Sequence, residues 1–227
     1  MRLLELYTTV QGEGPNVGKP TTFVRFAGCN MRCPGWPCDT PYSIEPSIWR
    51  HEFEEVSSEG IAERVASLNP KHVCLTGGEP LLQNKQELFT LVEHLLDAEY
   101  TIDVFTNGSI PFINHLPLGD PALTIVMDWK LEGSGEANHF LANRSMNRKL
   151  LTEVDAVKFV VKDEADLMEG RSWMQTWGQT AHRVYFSPAW DLIEPAQIVG
   201  FIDKYNLDAW LNLQTHKYIW EPTARRI

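Results

Sequence analysis

Three of the four cysteines, Cys29, Cys33 and Cys38, fall within ten residues, while Cys74 stands alone in an apolar segment. Thiolates crowded onto one loop are a poor disulfide framework and a good metal site. The loop reads Gly28-Cys29-Asn30-Met31-Arg32-Cys33-Pro34-Gly35-Trp36-Pro37-Cys38-Asp39-Thr40 and directly follows a β-branched apolar run. A structural zinc ion wants four protein ligands, and the nearest fourth candidate is His51, at a spacing that no common finger uses. An iron-sulfur cube on three thiolates leaves one iron open, as needed where a substrate or cofactor must bind it. Spacing alone leaves both readings standing.

Other segments carry chemistry of a different kind. Thr76-Gly77-Gly78-Glu79-Pro80 is either a plain turn or a backbone that a ligand approaches closely, since glycine has no Cβ. Asp128 and Lys130 alternate out of an apolar run, with Ser134-Gly135 just beyond, and ordinary strand termination is the bland account of Lys130. Arg25 sits inside an apolar run, where a charge is costly unless paired. It faces either an anionic ligand or a carboxylate such as Glu13 or Asp128. His216 is a ligand contact or a satisfied core histidine, and Asp39 or Thr40 can cap a following helical turn. Cys74 and Met127 read as core.

The elements that must position these residues alternate between β-branched runs and helical patterns, which is α/β organisation. Strands are expected at Thr21–Ala27, His72–Thr76, Thr101–Thr106, Leu123–Asp128, Ala156–Val161, Arg183–Ser187 and Ala209–Gln214. A helix capped by Asn84, with Glu87 three residues on, presents Leu88, Leu91, Val92, Leu95 and Leu96 on one face. Ile61–Leu68 forms another and stops at Asn69-Pro70. Asp163–Trp177 and Pro195–Tyr205 read as helical, and Asn138–Leu151 as a surface helix or an irregular excursion. In parallel sheets ligands gather at the carboxyl ends of strands, where nearly every unusual segment of this chain falls.

The 227 residues, 43% hydrophobic, fit one domain spanning 1–227, large enough to hold a core without a structural metal. A net charge of −10 argues against a nucleic-acid binder. No apolar run approaches the roughly 20 residues needed to span a bilayer. The N-terminus lacks a signal-like core, so a reducing, cytoplasmic setting is expected.

The cysteine loop together with Gly77-Gly78-Glu79-Pro80 resembles the radical S-adenosylmethionine superfamily. The usual Cys-x3-Cys-x2-Cys is here Cys-x3-Cys-x4-Cys, and Trp36 stands two residues before the last cysteine instead of immediately before it. Narrower likeness comes from Gln11-Gly12-Glu13-Gly14, Cys38-Asp39-Thr40, Asp128-Trp129-Lys130, Lys158-Phe159-Val160-Val161, Ser187-Pro188 and Gln214-Thr215-His216-Lys217. These resemble the 7-carboxy-7-deazaguanine synthase family nearly end to end.

The resemblance implies an incomplete TIM-like barrel of about six parallel strands, closed by residues from both termini. It implies a 4Fe-4S cluster on Cys29, Cys33 and Cys38, with the radical generated by the cofactor and no catalytic side chain. S-adenosylmethionine would meet Pro37, Cys38, Asp39, Gly77, Gly78, Glu79, Asp128, Lys130, Ser134, Gly135 and Ser187. A pterin substrate, 6-carboxy-5,6,7,8-tetrahydropterin, would meet Val10, Gln11, Gly12, Glu13, Arg25, Thr76 and His216, with magnesium on Thr40. Loss of ammonia and ring contraction give 7-carboxy-7-deazaguanine. A homodimer and an external electron donor such as flavodoxin or ferredoxin are implied too. Competing expectations are a glycyl-radical activating enzyme, which shares the cysteine loop, and a non-catalytic zinc module on Cys29, Cys33, Cys38 and His51.

Overall fold

The computed structural model describes residues 1–45 and 53–225, so His51 lies outside the described residues. Among the described residues nine strands form one sheet: β1 (Arg2–Val10), β2 (Pro20–Phe26), β3 (Glu54–Glu55), β4 (His72–Gly77), β5 (Thr101–Thr106), β6 (Leu123–Asp128), β7 (Ala156–Val161), β8 (Arg183–Pro188) and β9 (Trp210–Leu211). Their order is β3-β1-β2-β4-β5-β6-β7-β8-β9. From β2 through β9 every neighbouring pair is parallel, whereas β1 runs antiparallel to β2 and β3 antiparallel to β1. The result is an incomplete α/β barrel. Six full-length parallel strands carry it, and β9, reduced to two residues, is shorter than Ala209–Gln214 because the chain turns away toward the site.

The helices are α1 (Ser58–Ala66), α2 (Lys85–Asp97), α3 (Leu141–Arg148), α4 (Glu164–Trp177), α5 (Pro195–Lys204) and α6 (His216–Ile219). Asn84 caps α2 by accepting from the amides of Gln86 and Glu87, and Asp163 caps α4 through the Asp166 amide. α1 begins three residues earlier than Ile61, because Ser57 accepts from Gly60 N and supplies the start signal. α3 resolves the polar stretch 138–151 as a helix that buries Arg144 and Asn147. Among the described residues no helix is long and apolar enough to cross a membrane.

Parallel strands buried on both faces read as unbroken apolar runs. Here they alternate. Val24, Phe26, Val73, Leu75, Ile102, Val104, Ile125, Met127, Val157, Phe159, Val184 and Phe186 belong to one buried apolar cluster that also contains Ile61 and Val65 of α1, Leu88 and Leu91 of α2, Leu167 of α4 and Ile198 and Phe201 of α5. The intervening positions put Glu5, Arg25, Thr76, Asp103, Asp128, Lys158 and Ser187 on the opposite, concave face. β1 escapes a period-two reading because its register shifts between Leu3 and Glu5, and the bulge breaks the alternation.

Candidate active site

The cysteine loop leaves the end of β2 and is anchored at its root by backbone. Gly78 N donates to Phe26 O at 3.1 Å and Glu79 N to Gly28 O at 2.8 Å. A Cβ at Gly77 would overlap Phe26 backbone, and one at Gly78 would overlap the Gly28 carbonyl. The paired glycines therefore seat β4 against the loop. The two residues of extra loop length are taken up beyond Cys33, where Gly35 N donates to Ser134 O at 3.2 Å and Pro34 packs on Gly135.

Cys29, Cys33 and Cys38 are all half-buried. Burial pushes the Cys29 thiol up to about 11 and raises Cys33, while the Lys130 ammonium opposes both shifts. Among the described residues no three His, Cys, Asp or Glu side chains converge tightly enough to hold a single metal ion. A cube asks for something else, since each thiolate binds its own iron at a separate corner. The surroundings fit such a ligand: Met31 N lies 3.4 Å and Asn107 Nδ2 3.9 Å from Cys29 Sγ, donors of the kind that steady a cluster sulfur.

Glu79 is fully buried, and its carboxylate accepts from Thr106 Oγ1 at 2.7 Å, Asn107 N at 2.7 Å and Leu81 N at 3.0 Å. Burial raises it to about 7 despite those three donors. Its oxygens retain lone pairs for one further donor such as an ammonium. Ser134 Oγ donates to Leu131 O and receives Glu136 N, and Gly135 has φ of 75°, closing the turn after Leu131. Ser187 Oγ accepts from Asn212, whose own carbonyl oxygen receives Gly14 N at 2.7 Å.

A chain of charges crosses the concave face. Lys130 lies 2.8 Å from Asp128, Asp128 3.2 Å from Lys158, and Lys158 2.7 Å from Glu13. Gln214 then bridges Glu13 at 3.0 Å and Asp39 at 2.7 Å, and Lys217 pairs with Asp39 at 2.6 Å. Burial alone would raise Asp128, but Lys130 and Lys158 bring it down to about 2. Burial works against Asp39 in the same way, yet Lys217 and Gln214 keep it below its ordinary value. Residues 12–14 and 212–217 thus interlock across the open side of the barrel. Thr215 N donates to Gly12 O at 3.0 Å, and the His216 ring packs so closely on Gly12 that a Cβ there would overlap Nδ1. Burial lowers His216 below its ordinary value, against the pull of the Glu13 and Asp39 carboxylates.

Of the expected residues, Glu13, Asp39, Asp128 and Lys130 belong to this chain of charges, and several others already have protein partners. Arg25 pairs with Glu5 at 2.8 Å, not with Glu13 or Asp128, because Glu5 lies directly across the β1–β2 ladder. Tyr7 Oη is 3.2 Å from the same guanidinium. Gln11 is buried and donates to Asp103 at 2.8 Å, and Val10 ends β1 opposite Pro20. Thr76 stands beside Arg25 across the β2–β4 ladder. Pro37 and Asp39 are exposed on the loop. A helical turn, Pro41–Ser43, follows Thr40, but the Ser43 amide bonds the Thr40 carbonyl; the hydroxyl lies 3.8 Å from Cys38 Sγ. Neither Asp39 nor Thr40 is a side-chain cap.

Lys158, Asp103, Glu5, Gln214 and Lys217 carry no role in the sequence reading. Lys158 and Asp103 had the same signal as Arg25, a charge at an alternate position of an apolar strand. A crevice of about 350 Å³ between α4 and α5, lined by Leu167, Ile193 and Phe201, lies on the convex side, away from the cysteines.

A family model described as a 4Fe-4S single cluster domain matches residues 10–112, which include the cysteine loop and Glu79. A solved structure, QueE from Escherichia coli, superposes with a TM-score of 0.70 at 21% identity, covering 93% of this chain and 92% of that one. It supports the barrel. The 7-carboxy-7-deazaguanine synthase of Clostridium acetobutylicum is 33% identical over 100% of this chain and 99% of its own length. That of Koribacter versatilis is 33% identical over the whole of both chains, and that of Methanospirillum hungatei 35% identical over 98% of this chain and 86% of its own. Likeness of this extent, together with a three-cysteine loop above a charged barrel face, makes the chain a member of the 7-carboxy-7-deazaguanine synthase family.

Proposed function

We propose that residues 1–227 act as a single-domain radical S-adenosylmethionine lyase that converts 6-carboxy-5,6,7,8-tetrahydropterin to 7-carboxy-7-deazaguanine with loss of ammonia, in deazapurine biosynthesis. The observation that carries this reading is full-length similarity to relatives of that name, on a fold whose cysteine loop and charged face adjoin. Cys29, Cys33 and Cys38 hold the 4Fe-4S cluster. When bound, cluster and S-adenosylmethionine supply the radical, and the protein supplies position and shielding.

Each group of residues has its part. Glu79 offers its remaining acceptor capacity to the cofactor's ammonium, beside Gly77 and Gly78. Pro37, Cys38, Asp39, Asp128, Lys130, Ser134, Gly135 and Ser187 border the cofactor. Val10, Gln11, Gly12, Glu13, Arg25, Thr76 and His216 form the substrate end. There Arg25 meets the pterin carboxylate, and the floor is closed by the interlocked segments 12–14 and 212–217. The Thr40 hydroxyl, half-buried beside Asp39, serves magnesium, a hard cation that takes oxygen ligands and keeps several waters. The enzyme works in the reducing cytoplasm as a homodimer, with an external donor such as flavodoxin or ferredoxin.

Purified, reconstituted protein fed the tetrahydropterin anaerobically with reductant is expected to form the ring-contracted product. No product from a brown preparation with about four irons per chain, as a cubane requires, would remove this substrate assignment. Thr40→Val tests magnesium. The Ser43 amide and hydroxyl both bond the Thr40 carbonyl, which valine retains, and of the Ser43 contacts only the longer one, 3.2 Å from its Oγ to the Thr40 hydroxyl, is lost. The melting temperature should therefore hold to within the effect of about 1 kcal/mol that a lost cap produces. The magnesium titration of product formation should move to higher concentration. An unaltered titration would strike Thr40 from the site.

A further inference from the structure

The longer Cys33 to Cys38 interval needs a support, and the structure gives it one outside any residue assigned above. After β6 the chain makes a turn through Glu132–Ser134 and returns over the cysteine loop. Glu136 lies on that return with its side chain only 6% exposed. Its Oε1 accepts from Arg32 N at 2.8 Å and Cys33 N at 3.4 Å, while Oε2 is paired with His139 Nδ1. Cys33 is held there at φ 45°, a left-handed conformation that costs a non-glycine residue of order 1 kcal/mol or more and persists only when its surroundings impose it.

The support is itself braced. Arg144 of α3, fully buried, donates through one guanidinium nitrogen to the carbonyls of Glu136, Ala137 and His139, clamping the turn that presents the carboxylate. On the loop's other flank Gly35 N bonds Ser134 O, and a Cβ at Gly35 would overlap the Gly133 carbonyl oxygen. Two independent contacts thus dock the loop on residues 132–139.

We propose that Glu136 is a positioning residue for the cluster: its buried carboxylate, presented by a turn whose backbone Arg144 clamps, fixes the Cys33 backbone so that the lengthened loop presents its thiolates in a preformed arrangement. This rests on the reading of the three cysteines as cluster ligands. Residues that orient ligands in this way are commonly worth about tenfold to a hundredfold in metal retention.

The test uses reconstituted holoprotein and follows bleaching of the cluster by an iron chelator, beside the melting temperature of each chain. Wild type must first take up iron and turn brown; a colourless wild type would end the cluster reading itself. With that in hand, Glu136→Ala should bleach about tenfold or more faster than wild type at nearly unchanged melting temperature. Glu136→Gln, which keeps one acceptor for the amides, should recover much of the lifetime. Gly35→Ala, which alters no charge, should shorten it independently, and the electron paramagnetic resonance spectrum of the reduced cluster should shift in Glu136→Ala. A wild-type lifetime in Glu136→Ala would overturn the proposal, whatever Gly35→Ala does. So would bleaching that merely tracks a lowered melting temperature.

Discussion

The two faces of this sheet are made from the same strands and obey opposite rules. On the convex side, Val104, Met127, Phe159 and Phe186 are sealed under helices. On the concave side the neighbouring positions carry Asp103, Asp128, Lys158 and Ser187, each already joined to another polar group. The convex face is held by area removed from water, which is non-directional and forgiving of shape-conserving change. The concave face is held by paired charges, which contribute little net stability but penalise the loss of either partner. Stability and chemistry are thereby separated by a single step along each strand.

The largest effect should come from the loop above the concave face. Alanine at Cys29, Cys33 or Cys38 is expected to abolish S-adenosylmethionine cleavage, whereas Cys74→Ala, buried beneath the same face, should keep it and lose only about 1–2 kcal/mol. Cleavage near the wild-type level in Cys38→Ala would detach the third cysteine from the cluster. On the convex side, Phe159→Ala should lower stability by about 3–5 kcal/mol in urea unfolding, with the cavity adding to lost transfer energy. A loss near zero would mean that the helices do not seal that face. Lys158→Met should cost about 3 kcal/mol, because Glu13 and Asp128 are left without their shared cation. Adding Glu13→Gln should restore part of it, and strict additivity would show that the charges do not act as a chain.

Two carboxylates sharpen the comparison through pH. Glu79 is raised by burial from 4.5 to about 7, so folding binds its proton more tightly than the unfolded chain does. Its contribution is complete below pH 4.5 and is lost as pH rises to 7, a change on the order of 3 kcal/mol. Asp128, lowered from 3.8 to about 2 where Lys130 and Lys158 outweigh burial, behaves oppositely. Its contribution of about 2 kcal/mol is present above pH 4 and is lost as pH falls toward 2. Stability of wild type against Glu79→Gln and Asp128→Asn across pH 2–8 should show the two opposed slopes. Parallel slopes would mean that one environment has been misassigned.

Much of this architecture was legible beforehand, and the exceptions have physical causes. β4 through β8 start where the β-branched runs start, and the Asn84 and Asp163 caps are read directly from residue type. β1 was hidden because its bulge breaks the alternation that marks a strand. For the site, sequence brought the cysteines, Glu79, Asp128 and Lys130 to one end of the sheet. It misjudged partners, since which carboxylate faces Arg25 depends on the antiparallel register of β1, a non-local fact. Glu136 and Arg144 gave no local signal at all. The role of Glu136 arises from a loop more than a hundred residues away in the chain, and that of Arg144 from the backbone of the turn that carries Glu136.

The interlock between the two ends of the chain has a consequence in time. Glu13 and Gln214 are 201 residues apart, and Gly14 and Asn212 are 198 apart. At synthesis rates of about 5–20 residues per second, the partner of Glu13 leaves the ribosome roughly 10–40 s after Glu13 itself. The contacts around Cys29 close much sooner, for Asn107 reaches it across 78 residues and Asn30 across 77. During synthesis the partners that hold the root of the cysteine loop are therefore all present well before the partners that join residues 12–14 to 212–217.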